Sequence, residues 1–101
     1  MEKVFYFICE ASPKPGSKNA SKFGGAFINS WIRRPSEAEA LERIKTYLER
    51  NDWIVSSIKE SNLVSRDFYK LDGEGIEYFE QAMQDGECFV IHTWPLEIQN
   101  E

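Results

Sequence analysis

The sequence predicts an α+β fold, a two-layer sandwich in which a four-stranded, mainly antiparallel sheet carries two helices on one face. Three observations predict it. Four short runs of apolar and aromatic residues are separated by polar segments, and two further stretches repeat apolar residues at three- and four-residue steps. The length of 101 residues fits a single domain, residues 1–101. The predicted order of elements is β-β-α-β-α-β.

Two strand-like runs open the chain. Residues 4–9 are apolar or aromatic throughout, which is typical of an internal strand whose two faces are both covered. Residues 26–33 form the second run, with Phe27 and Trp31 on one face. The intervening residues 12–25 are a loop rich in Gly, Pro, Ser and Lys, and it is too long for a tight hairpin turn. We expect the two strands to be antiparallel.

The first helix has the clearest local signal in the chain. Ser36 is placed to cap it, and Glu39 is placed to reach back and complete a capping box. Glu39 and Arg43 are also spaced to form an ion pair on the exposed side. We expect the helix to end near residues 50–51 and the third strand to follow at residues 53–59. The predicted apolar stripe of this helix comprises Ala38, Leu41, Ile44, Tyr47 and Leu48.

Residues 61–71 leave two alternatives. A short edge strand at residues 63–70 would turn residues 26–94 into a ferredoxin-like β-α-β-β-α-β plait with an extra leading strand. The favoured alternative is an irregular segment whose aromatic residues close the rim of the core. The sequence alone does not decide between the two.

The second helix should open at residues 72–74 and end at Gly86, which is a natural stop. Residues 88–94 should form the last strand, which Pro95 ends. Residues 96–101 have the composition of a tail. The predicted stripe of the second helix contains Ile76, Phe79 and Met83.

The chain carries more large aromatic residues than two short helices can cover. With both helices on one face, the other sheet face would be open, and exposed apolar faces are typically covered by a second subunit or a partner. We therefore expect a non-enzymatic protein-interaction module that forms a homodimer, with Trp31 and Trp94 in the contact. Seven aromatic residues support this expectation: Phe5, Phe7, Phe27, Trp31, Trp53, Phe89 and Trp94.

Charge is distributed as a gradient along the chain, which has a net charge of −5. Every Lys and Arg lies at or before Lys70, and the charged residues after Lys70 are all Asp or Glu. Glu74, Glu77 and Glu80 in the second helix predict a docking surface for a basic protein partner, and a solvated helix face is the plainer alternative. The adjacent Arg33 and Arg34 precede a helix start, where positive charge is unfavourable. We expect an acid from the last third of the chain to hold them.

The basic loop 12–25 supports an alternative function, the binding of a small anionic ligand by a ligand binder or enzyme. Lys14, Lys18 and Lys22 in this loop, together with Arg33, are the candidate ligand-binding residues. The glycines of the loop open a strand instead of a helix, so the loop does not match a phosphate-binding motif of the Walker type.

Catalytic chemistry finds little support. His92 is the single histidine, and Cys88 lies four residues before it on the same strand face, about 13 Å away. His92 and Cys9 could meet only if the first and last strands were neighbours. No spacing of His and Cys matches a metal site. We expect no catalytic residue, no metal and no cofactor, and lean towards a protein that is not an enzyme.

Composition limits the classes of partner and the cellular compartment that we expect for this chain. An acidic chain lacks the clustered basic surface that nucleic-acid binding requires, so no nucleic-acid partner is expected. No apolar run approaches the length of a membrane span, so no membrane association is expected. Cys9 and Cys88 lie in strand-like runs and are expected to be free thiols. These observations predict a soluble, cytoplasmic protein.

Overall fold

The structure, a computed structural model, describes residues 3–69 and 75–96. Within these residues the chain forms one sheet, three α-helices and one 3₁₀-helix. The strands are β1 (Lys3–Pro13), β2 (Phe23–Arg34), β3 (Trp53–Val64) and β4 (Glu87–Pro95). The helices are α1 (Lys18–Lys22), α2 (Glu37–Arg50) and α3 (Ile76–Asp85), and the 3₁₀-helix is Arg66–Tyr69.

The four strands are antiparallel and lie in the order β3-β1-β2-β4. β1 and β2 are the internal strands, which explains why the first run of the sequence is apolar on both faces. Val4 of β1 lies opposite Arg33 of β2 on one side and Val64 of β3 on the other. The prediction of an α+β fold built on a four-stranded antiparallel sheet is confirmed.

Helix α2 packs on one face of this sheet. Ser36 caps it by accepting a hydrogen bond from the backbone N–H of Glu39, as the sequence predicted, and the Ser36 hydroxyl donates to the Glu39 carboxylate. The buried row of the helix is Ala40, Ile44 and Leu48, with Leu41 and Tyr47 beside it. The predicted stripe member Ala38 is exposed. The strand residues below α2 include Phe5, Phe7, Cys9, Ile28 and Ile32.

Helix α3 packs on the opposite face, so the predicted placement of both helices on one face is wrong. Its buried Phe79 and Ala82 contact a second core that contains Val4, Trp31 and Val64. Successive residues of a strand point to opposite faces. Val4 therefore faces α3 while its neighbour Phe5 faces α2. The sheet carries one helix on each face instead of two on one.

Strand β3 is longer than predicted, because it continues through Ser61 to Val64. Phe68 and Tyr69 lie in the 3₁₀-helix, so no separate strand forms at residues 63–69 and the ferredoxin-like variant does not arise in this part of the chain. Of the favoured irregular segment, residues 66–69 form the 3₁₀-helix, in which Tyr69 is buried in the core while Phe68 is 59% exposed. The predicted helix start at 72–74 and most of the predicted tail lie outside the described residues.

Helix α3 ends at Gly86, as predicted. Gly86 has φ of +93°, a left-handed conformation that glycine adopts without strain, and its N–H donates to the carbonyl of Ala82. The chain therefore enters β4 immediately after the helix. Within residues 3–69 and 75–96, no helix is long and apolar enough to cross a membrane.

An ion-pair cluster ties the start of β4 to the rest of the fold. Arg43 of α2 donates two hydrogen bonds of 2.7 Å to the two carboxylate oxygens of Glu87, and Arg34 lies 3.4 Å from the same carboxylate. The hydrogen bonds from Arg43 lower the pKa of Glu87. An acid of the last third thus holds Arg34, as expected. Arg43 pairs with Glu87 here, where the sequence had suggested Glu39.

Candidate interaction surface

The α3 side of the sheet has an aromatic cluster at its covered end. The indole N–H of the buried Trp31 donates a 2.6 Å hydrogen bond to the hydroxyl of Tyr69. The Trp31 ring also packs between Tyr6 and Tyr78, with centroid distances of 4.9 Å to each. Trp31 was predicted to contact a partner, but it is 4% exposed and is enclosed by its own chain.

Beyond α3, no described helix covers this face, and we call this region the bare half. Phe27 of β2 is 40% exposed there, and its ring packs against Trp94 of β4 with a centroid distance of 5.1 Å. The sequence predicted a whole open aromatic face, but only the half of this face beyond α3 is open. Its residues are Ile8, Glu10, Ser12, Phe27, Asn29, Ile54, His92 and Trp94.

The indole of Trp94 can lie against β2 because the residues under it are Gly24 and Gly25. A Cβ atom on Gly25 would lie 2.3 Å from Cζ2 of the indole, and one on Gly24 would lie 2.9 Å from Nε1. These distances are far below van der Waals contact, so the two glycines let the ring lie against the backbone of β2. The Gly24-Gly25 pair at the end of the predicted loop is thus part of the aromatic surface.

Polar groups lie among the aromatic residues of the bare half. Glu10, opposite Phe27, forms an ion pair with Lys59 at 3.3 Å, and the hydroxyls of Ser12 and Ser56 lie 3.2 Å apart. Both pairs are satisfied within the chain, so these polar groups do not depend on a partner.

The acidic residues predicted to meet a basic partner are only partly available. Glu80 pairs with Arg66 of the 3₁₀-helix at 2.5 Å, and Glu77 is exposed. Glu74 lies outside the described residues. The ion pair to Arg66 reduces the negative field of α3, and docking of a basic partner on this helix stays a prediction.

The four basic residues predicted to bind an anion do not come together. Lys18 and Lys22 lie on α1, and Lys14 lies at the exit of β1, where its N–H donates to the carbonyl of Asp52. Arg33 pairs in register with Val4 at the other end of β1, roughly 30 Å from Lys14, and donates to the carbonyl of Met83.

Lys14 does line a cavity of about 420 Å³ between α2 and β3. The cavity is formed by Lys14, Lys45, Glu49, Trp53, Ile54 and Val55. The second cation, Lys45, is on the exposed side of α2 and was not singled out by sequence, because a lysine on a helix is usually only solvated. The opposing Glu49 limits the positive charge of this cavity.

Neither cysteine thiol is activated as a nucleophile. Burial raises the pKa of the Cys9 thiol to about 11, and burial together with Asp85 raises that of Cys88. Cys9 faces α2, whereas His92 lies opposite Phe27 on the other face, so the sheet separates them. Within residues 3–69 and 75–96, no three His, Cys, Asp or Glu side chains are grouped to hold a metal ion.

Comparisons of the chain with protein-family models, with curated proteins and with solved structures found no match.

Proposed function

We propose that this chain is a non-enzymatic protein-interaction module that self-associates, and that the bare half is part of its contact surface. The observation that carries the proposal is the exposed Phe27 beside Trp94 on a part of the sheet that no described helix covers. Burial of apolar surface is the main favourable term in association, and aromatic residues are enriched at interfaces.

A second copy of the chain fits this surface better than a highly charged partner. The chain has a net charge of −5, so two copies repel each other over most of their surfaces. Glu10 lies opposite Phe27 within the bare half, and its charge is balanced by Lys59 of the same copy at 3.3 Å. This internal ion pair reduces the repulsion between two copies that meet here.

Sedimentation equilibrium over a range of protein concentrations tests the proposal. We expect a reversible dimer, with Phe27→Ser weakening the association at least tenfold. Leu63→Ser is the matched control, because Leu63 is 57% exposed but lies on the α2 side of β3. Its association should equal that of the unmodified chain. A chain that stays monomeric at every concentration would overturn the proposal.

The Lys14 cavity supports a second candidate function, the binding of a small anionic ligand. Lys14 and Lys45 line the cavity together with the apolar Trp53 and Val55, and this lining suits a ligand with an anionic and an apolar part. We expect millimolar ATP to raise the melting temperature, and Lys14→Ala to abolish that rise while Lys18→Ala preserves it. No rise with ATP, or the same loss in both variants, would count against the cavity.

A further inference from the structure

Strand β4 is an open edge of the sheet whose middle lacks the usual protection, because Glu87 and Pro95 lie only at its ends. In the described part of the chain it pairs with β2 alone. Residues 88–94 carry no Asp, Glu, Lys or Arg, and their register with β2 has no shift from Glu87 to Trp94. Natural proteins normally protect an edge strand with charges or bulges, because its free backbone groups invite another strand to pair.

The opposite edge, β3, shows that protection. Its pairing with β1 is interrupted by two register shifts, between Ile8 and Cys9 and between Glu10 and Ala11. It also carries Lys59 and Glu60 in its middle. Bulges and charges of this kind prevent edge-to-edge association. The contrast makes β4 the edge that can accept a strand.

The hydrogen-bond pattern identifies the free groups of β4. The N–H of Arg33 donates to the carbonyl of Gly86, and hydrogen-bonded pairs alternate along an antiparallel ladder. Val90 and His92, and every second residue of β4 counted from them, therefore turn their backbone N–H and C=O groups towards β2. The residues whose N–H and C=O groups point outwards are Phe89, Ile91 and Thr93.

We propose that a second copy of this chain adds to the sheet by antiparallel pairing of β4 with β4, centred on Ile91. This inference rests on the proposed self-association and specifies its geometry. A two-fold axis at Ile91 pairs each Ile91 with its own copy and Phe89 with Thr93 of the second copy. The result is a continuous eight-stranded sheet, an isologous contact of the kind found in most homodimers.

The side chains of β4 suit this register. Ile91 is 37% exposed on the outer strand, and pairing would bury it against its equivalent. The two copies of Glu87 come to opposite ends of the paired segment, about 27 Å apart, and each is already held by Arg43. No charge is placed opposite a like charge, which is the usual obstacle when an acidic chain meets itself.

The area of the bare half also calls for a further contact. Four strands at ~4.8 Å and six residues at ~3.3 Å give roughly 300–400 Å² on each copy. A stable dimer buries about 800 Å² per partner. Edge pairing adds contact area and places Trp94 beside Cys88 of the second copy, which packs under α3 there. The two bare halves then lie on the same side of the joined sheet, and each adjoins the edge contact at its Trp94 end instead of facing the other.

Charge placed at the two-fold axis tests the geometry. Ile91→Lys would put two ammonium groups opposite each other, and we expect at least a hundredfold weaker association in sedimentation equilibrium. Ile58→Lys is the matched control, because Ile58 is 40% exposed on the other edge strand. It should leave association unchanged. Circular dichroism of both variants should show the fold of the unmodified chain.

Oxidative cross-linking provides a second test that does not disturb the fold. In a Cys88→Ser background, Ile91→Cys would bring two thiols together across the axis, at the Cα separation of about 5.5 Å that a disulfide accepts. We expect a covalent dimer from Ile91→Cys and none from Ile58→Cys. Absence of the cross-link in a chain that dimerises would overturn the edge pairing.

The outcomes separate this inference from the proposed function. If Phe27→Ser disrupts the dimer but Ile91→Lys does not, the bare half acts without the edge and the pairing is wrong. If Ile91→Lys disrupts it and Phe27→Ser does not, the edge alone carries the association and the bare half is excluded. If the unmodified chain is monomeric, both proposals fail.

Discussion

The two faces of the sheet are covered to different extents, although each carries one helix. Among the described residues, the largest fully buried side chains all lie on the α2 face, where a fourteen-residue helix crosses the sheet. The ten-residue α3 covers one end of the other face and leaves the bare half exposed. The difference indicates that one face supplies most of the core, while the other combines a smaller core with a surface for contact.

The largest effect is expected at the centre of the α2 face. Ile44→Ala would leave a cavity in the fully buried core and should lower the free energy of unfolding by about 2–5 kcal/mol. Met83→Ala on α3, where the side chain is exposed, should cost less than about 1 kcal/mol. Urea unfolding of the two variants measures both. Equal losses would remove the contrast between the faces.

A smaller effect is expected in the core under α3. Tyr69→Phe removes the acceptor of the buried Trp31 indole N–H and should cost about 1–3 kcal/mol. Amide hydrogen exchange should accelerate in α3 more than in α2, because the two helices belong to separate clusters. Tyr78→Phe serves as the control, since its ring stays on Trp31. Uniform acceleration in both helices would show that the clusters unfold together.

On the bare half, the fit between Gly25 and Trp94 can be tested directly. Gly25→Ala places a methyl group inside the indole, so the ring must move, at a cost of about 1–3 kcal/mol. Adding Trp94→Val to Gly25→Ala should recover part of the loss, because the smaller side chain leaves room for the methyl group. The comparison is with Trp94→Val alone. An equal penalty for the methyl group in both backgrounds would rule out the clash with the indole.

The smallest effect concerns the ion pair at the rim of the α2 face, and it depends on pH. Arg43 lowers the pKa of Glu87 in the folded chain, so the folded state binds fewer protons than the unfolded state, where the pKa is about 4.3. The contribution, about 1 kcal/mol, is present above that pH and is lost as the pH falls through the folded pKa. Glu87→Gln should therefore be less stable than the unmodified chain at pH 7, and the gap should narrow as the pH is lowered through the folded pKa. Urea unfolding over a series of pH values measures this gap, and a gap that does not narrow with falling pH contradicts the prediction.

Local signals in the sequence were reliable because they depend on neighbouring residues only. Ser36 caps α2 and Gly86 ends α3, as their side chains and backbone freedom require. The apolar run at the start of the chain is an internal strand. Each of these features follows from hydrogen-bonding and steric rules that act within a few residues.

Features that depend on distant parts of the chain were not predictable. Helices α2 and α3 have similar apolar stripes, and periodicity shows which side of a helix is buried but not which sheet face it meets. The end of β3 is polar because it is an exposed edge, so residues 60–62 lack the alternation that marks a strand. Arg43 pairs with Glu87 because the fold brings them together from 44 positions apart.

For the candidate surface, the sequence indicated that aromatic residues form it, but it showed only in part which of them are exposed. The excess of aromatic residues correctly indicated an open aromatic surface, and Phe27 and Trp94 lie on it. Trp31 looked equivalent, but its register places it under α3 beside Tyr69. Ile91 could have been recognised as the middle of an uncharged run, although strand order was needed to show that the run is an edge.

The three tryptophans give this protein an optical label for each of its regions. Trp53 lies in the α2 core and Trp31 in the α3 core, both 4% exposed, while Trp94 is only half-buried on the bare half. A water-soluble quencher of fluorescence therefore reaches chiefly one indole of the three. Loss of quenching on concentration would report contact at the bare half, and variants that retain Trp31 or Trp53 alone would report unfolding of each core.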